Sequence, residues 1–191
     1  MEISKKQYNF TPEGGRILIS EPFLNDPNFK KAVVLLCEHE EEGSFGFILN
    51  RVLQMGTSEI IPDLLNHNFP VFYGGPVEPN TLHFIHRCGL IIEDAFPIGN
   101  GIYWGGNIET INQAIESGKA TLDDFKFFIG YSGWGAGQLQ AEIEQKVWWL
   151  AKPISDLVFT DDLEEMWAMA VKNLGTDFAF FANSPDDFLW N

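Results

Sequence analysis

Between Lys31 and Glu38 the chain runs Ala32-Val33-Val34-Leu35-Leu36-Cys37 with no polar residue. A run that is apolar throughout, rather than alternating, predicts a strand buried on both faces. The fold must therefore supply packing layers on each side of its sheet. The run ends in Glu38-His39-Glu40-Glu41-Glu42-Gly43, and Ser44-Phe45-Gly46-Phe47-Ile48-Leu49 reads as the next strand. So short and charged a connection predicts an antiparallel hairpin.

Other segments fit round this hairpin. Residues 1–14 read as an N-terminal tail and 15–191 as a single domain. Arg16-Ile17-Leu18-Ile19-Ser20 predicts a strand stopped by Glu21-Pro22, and Asn25-Asp26-Pro27-Asn28 a turn. Strands are also expected over Val71–Tyr73, Thr81–His86, Ile102–Trp104, Phe125–Tyr131 and Val147–Leu150. Helical patterns cover 58–65 with Ser58 as N-cap, 107–117 with Gly118 as stop, 138–145, and 161–174 capped by Thr160 or Asp161. Strands come in runs and helices cluster late, without regular βαβ alternation, so the class expected is α+β with a mixed sheet.

The 191 residues carry 12 Lys+Arg against 27 Asp+Glu, a net charge of −15. Residues 1–31 hold five basic and four acidic groups, so the remaining 160 carry −16. That field opposes direct nucleic-acid binding, which needs clustered Lys and Arg to displace counterions. The N-terminus lacks the apolar core of a signal peptide, and no apolar run reaches the ~18 residues of a membrane span. The expected compartment is the cytoplasm, with no membrane partner. Seventeen Phe and six Trp must be buried or used at a contact surface.

Four ordered motifs carry a family resemblance. Gly130-Tyr131-Ser132-Gly133-Trp134-Gly135-Ala136-Gly137-Gln138-Leu139 with Glu142-Ile143 resembles the signature of the YqgE/AlgH family of bacterial proteins. Tyr73-Gly74-Gly75-Pro76-Val77 resembles its second motif. Leu18-Ile19 with Pro22 and Asp26-Pro27-Asn28-Phe29 resembles its opening. Glu38-His39, Gly43-Ser44-Phe45-Gly46-Phe47 and Asn50-Arg51 resemble its hairpin. The family pattern usually has Ala where this chain has Ser132. The resemblance implies a compact single-domain α+β fold with a mixed, partly rolled sheet flanked by helices. It brings no catalytic residues and no cofactor. The family name carries a suggested link to transcriptional control of alginate synthesis.

Gly133-x-Gly135-x-Gly137 reads first as a tight turn, on which Gly135→Val would destabilise the domain, and second as an anion cradle before a helix. Ser132 lacks the glycine two residues on that a nucleophile elbow needs, because Trp134 stands there. His83 and His86, three apart on a strand, point to opposite faces, so a metal site with His39 would need the fold to gather them. Cys37 in its apolar run is a poor thiolate; it and Cys88 are the only cysteines. Arg51 and Arg87 are expected to pair locally or to hold an anion. No complete catalytic set emerges. The expected function is a non-catalytic binding or regulatory protein with an unknown protein or small-molecule partner. The alternative is an enzyme or small-molecule binder with a pocket between the 73–77 and 130–138 loops, lined by Tyr73, Gly74, Gly75, Trp134, Gly135, Gly137, Gln138 and a histidine.

Overall fold

The computed structural model describes residues 11–152 and 155–183. Ten strands join in one open sheet: β1 (Ile17–Ser20), β2 (Val33–Glu40), β3 (Gly43–Ile48), β4 (Val52–Gly56), β5 (Pro70–Tyr73), β6 (Val77–His86), β7 (Phe96–Gly99), β8 (Ile102–Trp104), β9 (Phe125–Gly135) and β10 (Trp148–Ala151). Their order is β10-β1-β2-β3-β9-β6-β8-β7. Strand β9 joins two halves of the sheet. Its residues 127–129 pair in parallel with β5 and residues 132–135 antiparallel with β3, along one edge, while β6 runs antiparallel along the other. The β5–β9 pair makes the sheet mixed, and β4 closes the arrangement by pairing with β5.

Among the described residues six short helices flank it: α1 (Thr57–Ile60), α2 (Thr110–Glu116), α3 (Gln138–Glu144), α4 (Ser155–Val158), α5 (Met166–Asn173) and α6 (Thr176–Ala179). The doubly apolar run becomes β2, with residues 33 to 36 fully buried. Val33 and Leu35 face a central core that includes Phe47, Phe72, Phe128 and Trp149 and is covered by Met166, Trp167 and Phe178. Val34 and Leu36 face a second cluster with Trp134, Trp148 and Leu139, under α3. A third cluster, around Phe69, Val71, Phe84 and Phe127, packs against Ile111 and Ala114 of α2. Fully burying a side chain of the size of Met166 or Val171 contributes about 1.5–3 kcal/mol, which explains how so short a helix as α5 holds its place.

Several expectations are corrected. The stretch 58–65 forms only α1, which ends before Pro62. Its N-cap is Gly56, whose N–H donates to Glu59 Oε1 at 2.9 Å, and Ser58 instead donates from Oγ to Asn68 Oδ1 at 2.9 Å. The 161–174 helix begins at Met166. Thr160 and Asp162 hold a preceding turn by accepting from the N–H groups of Asp162 (3.2 Å) and Glu165 (3.4 Å). Gly133-Trp134-Gly135 is strand rather than turn, since Gly133 pairs with Phe45 and Gly135 with Gly43. The reversal is confined to Ala136 and Gly137, with Gly137 left-handed (φ 71°) as the N-cap of α3. Gly135 is not sterically required: a Cβ there meets nothing nearer than Gln138 Oε1 at 3.9 Å. Strands β4 and β7 form where the sequence pattern predicts none. Of the aromatic, acidic C-terminal stretch, residues 184–191 lie outside the described residues, as do residues 1–10 of the N-terminal tail.

Candidate functional site

Two register irregularities shape one cleft. Along β2, side chains alternate between the central core and the α3 side up to Cys37. Leu36 then pairs with Gly46 and Glu38 with Phe45, so Cys37 is an extra residue. Such a bulge reverses the alternation, and Glu38 and Glu40 come to share the face that carries Phe45. On β9, Lys126 and Phe128 lie on the central side, while Phe127 and Ile129 face the third cluster. Gly130, with φ 66°, then resets the pattern, and the next ring on the central side is Tyr131.

The cleft has a volume of about 610 Å³ and is open on one side. Its walls include Phe45, Val77, His83, Trp104, Tyr131 and Gly133, with Glu38, Glu40 and Glu42 at its rim. Four of these rings form a closed cycle. Phe45 and Trp104 are 4.9 Å apart by centroids, Trp104 and His83 6.3 Å, His83 and Tyr131 5.9 Å, and Tyr131 and Phe45 5.9 Å. Gly133 lies directly across from Phe45 and leaves that row without a side chain.

Of the residues singled out in the sequence, Trp134 borders this cleft and Tyr73 and Gln138 do not. The Trp134 ring packs on Phe29 and Trp148 in the second cluster. The Glu142 carboxylate clamps this region: Oε2 accepts from Trp134 Nε1 at 2.9 Å and Trp148 Nε1 at 2.8 Å, while Oε1 accepts from Gln138 Nε2 at 2.8 Å. Glu142→Ala leaves two largely buried indole N–H groups without an acceptor. We expect it to cost about 1–2 kcal/mol, read as a lower midpoint in urea. Tyr73 donates its hydroxyl to Asn28 Oδ1 at 2.9 Å. Gly74 and Gly75 are buried against the β9 backbone.

Ser132 is fully buried and donates to Gly74 O at 3.0 Å, and among the described residues no base is hydrogen-bonded to it. Both cysteines are free, and burial followed by the Glu38 charge pushes the Cys37 thiol well up. Arg51 turns its guanidinium onto the backbone carbonyls of Asn50 and Lys30, and Arg87 pairs with Asp124 at 2.7 Å. Among the described residues, no group of three His, Cys, Asp or Glu side chains is placed to hold a metal.

The histidines separate as the strand geometry requires. His83 faces the cleft and His86 the opposite side, stacked on Tyr103. His86 is completely buried; its Nδ1 accepts from Cys88 N at 3.2 Å, so its Nε2 carries the proton shared with Gly105 O at 3.2 Å. Thr81 Oγ1 donates to Glu78 O, so His83 Nε2 is the donor in its 2.9 Å contact with Thr81. Burial, the leading cause in each, pulls both imidazoles below their ordinary value of 6.5. A depressed folded value means that the stability is intact above pH 6.5 and lost as pH falls below it. We expect the melting temperature to drop between neutral pH and about pH 5, before most carboxylates titrate, and the drop to shrink in His86→Gln.

These observations define an α+β domain built on an open ten-stranded sheet, with an acid-rimmed aromatic cleft where its two halves meet. The AlgH-like family model matches residues 17–179, and the chain belongs to that family. A UPF0301 protein of Chlorobaculum tepidum is 41% identical over 172 residues, covering 90% of this chain and 92% of that one. One from Cytophaga hutchinsonii is 39% identical over 174 residues, covering 91% and 96%. The solution structure of AlgH from Pseudomonas aeruginosa matches with a TM-score of 0.67 at 25% identity, covering 97% and 98%. A crystal structure of a Corynebacterium diphtheriae protein shares the fold, with a TM-score of 0.79 at 19% identity over 91% and 93%. No helix among the described residues is long and apolar enough to cross a membrane.

Proposed function

We propose that this chain is a non-catalytic binding protein of the cytoplasm, regulatory in role, whose ligand site is the cleft walled by Phe45, His83, Trp104 and Tyr131. The observation that carries this reading is the convergence of two backbone irregularities, at Cys37 and Gly130, on one cavity of about 610 Å³. That volume falls within the usual range for small-molecule sites. Any effect on transcription would pass through a protein partner, since a net charge of −15 opposes DNA contact. The proposed cleft differs from the pocket expected from the sequence: its lining includes Val77, a histidine and the start of the glycine string, and does not include Tyr73 or Gln138.

The test uses backbone amide NMR spectra of the protein titrated with fractionated bacterial metabolites. Ligand-induced shifts should map to Tyr131, Gly133 and Trp104 and be lost in Gly133→Val, whose side chain enters the cleft. A Cβ at Gly133 meets only ring and methyl atoms, of Tyr131 and Val77, at 3.4 Å. Shifts that map away from the cleft would overturn the reading.

A second reading rests on a different contact. Ser44 borders the cleft, and its Oγ lies 2.7 Å from His39 Nδ1, the arrangement of a hydroxyl nucleophile and its base. Among the described residues no carboxylate holds the other nitrogen of His39, so the third member that orients such a base is not assembled. Hydrolysis of aryl esters abolished by Ser44→Ala would favour this reading; equal rates in both proteins would remove it.

A further inference from the structure

We propose that the cleft takes a small organic cation, a quaternary or alkylated ammonium, seated against the Phe45–Trp104–His83–Tyr131 cycle with Glu38 and Glu40 supplying the countercharge. The inference rests on the cleft being a ligand site and goes further by naming the chemistry it selects.

The walls argue first. Ring faces carry the negative part of the aromatic quadrupole, and a cation held near several of them is attracted without hydrogen-bond donors or acceptors. An alkylated ammonium has no strong hydration shell to lose, so it suits walls of this kind. Three of the four rings are Phe, Trp and Tyr. The fourth, His83, donates its Nε2–H to Thr81, and its burial lowers its pKa, which favours the neutral ring at physiological pH. The cycle is also buttressed from outside, by Phe47 against His83 at 5.3 Å and Phe96 against Trp104 at 5.8 Å.

The rim argues second. Three carboxylate residues, Glu38, Glu40 and Glu42, border the cleft, and among the described residues no Lys or Arg lines it. In an alternating strand Glu38 and Glu40 would follow Val34 and Leu36 onto the α3 side. The extra residue at Cys37 turns them to the aromatic side instead. An anionic ligand would meet three negative groups there, and a neutral one would make no use of them. Gly133 opposite Phe45 leaves room for a trimethylammonium head on that row.

The experiment compares three probes that share one bulky head: choline, its uncharged isostere 3,3-dimethylbutan-1-ol, and the anion 3,3-dimethylbutanoate. Each is titrated into the full chain and followed by the Trp104 indole and the Tyr131 and Gly133 amide signals. Choline should bind about tenfold more tightly than the alcohol, and the carboxylate should bind weakest. Glu38→Gln with Glu40→Gln, two exposed positions where folding is not at stake, should weaken choline severalfold and leave the alcohol unchanged. Equal binding of choline and the alcohol at these signals would overturn the cation assignment while leaving the cleft a ligand site. Perturbation of none of the three signals by any probe at tens of millimolar would overturn it as well. The metabolite titration judges the ligand-site reading separately, because a ligand mapping to another surface would remove that reading whatever its charge.

Discussion

Gly75→Ala is expected to unfold the domain. Gly75 has φ 149°, and a Cβ built there lies 2.3 Å from the Tyr131 carbonyl carbon and 2.4 Å from Ser132 N. Both are backbone atoms of β9, which is held on one edge by β3 and on the other by β6, so neither can move aside cheaply. The neighbouring glycines interlock in the same way, since a Cβ on Gly74 would sit 2.2 Å from Gly130 O and one on Gly130 would sit 2.5 Å from Gly75 O. The clash falls where β9 passes from pairing β5 to pairing β3, the junction of the two half-sheets. A loss of about 4 kcal/mol or more, a large share of a normal domain's stability, should follow, visible as a missing cooperative transition on heating. Gly135→Ala is the control, with open space around its Cβ, and should change stability by less than about 1 kcal/mol. Equal melting of the two variants would refute the steric account.

That contrast also marks what the sequence could and could not tell. Both glycines stand in motifs that resemble the family's, yet only one is locked by its surroundings, and spacing alone does not separate them. The hairpin of β2 and β3 was legible because Ala32–Cys37 is apolar throughout and the turn that follows is charged. The apolar stripe of α5 was legible too, in Met166, Trp167 and Ala170; its first turn was not, because Asp161–Glu165 carries cap-type residues that serve a separate turn. Strand β4 was missed because its side chains are largely exposed and its pattern is weak. The cleft was illegible for a more specific reason. Strand reasoning assumes an unbroken period of two, which sends Glu38 and Glu40 to the wrong face and gives no reason to group them with Tyr131. The bulge at Cys37 and the left-handed Gly130 each break that period once, and only the pairing registers reveal it. Ser132 was readable as a non-nucleophile from its spacing, and its buried bond to Gly74 gives the physical ground.

Lys126→Met is expected to stabilise the protein. Lys126 sits among phenylalanines as one polar residue of a strand, which gives no sign in the sequence of its burial, yet it is 5% exposed and points into the central core. Its ammonium donates to Val158 O at 3.2 Å and lies 4.3 Å from the centroid of the Phe72 ring. These contacts do not replace the water it gave up. Burial lowers its pKa from 10.5 to about 8, with Asp161 opposing the shift in part. A depressed folded value means that the group's full stability exists only above 10.5 and is lost as pH falls to about 8, below which the penalty is constant. At neutral pH that penalty is of order 3 kcal/mol. Methionine fills most of the same buried space while removing the charge; losing the bond to Val158 O gives back about 1 kcal/mol. The variant should therefore gain about 2 kcal/mol at pH 7. Its advantage should shrink as pH rises through the range from 8 to 10.5, where the native lysine sheds its proton. Urea midpoints of both proteins at three pH values across that range would show it, and a gap that stays constant with pH would mean that the buried amine is not the source of the difference.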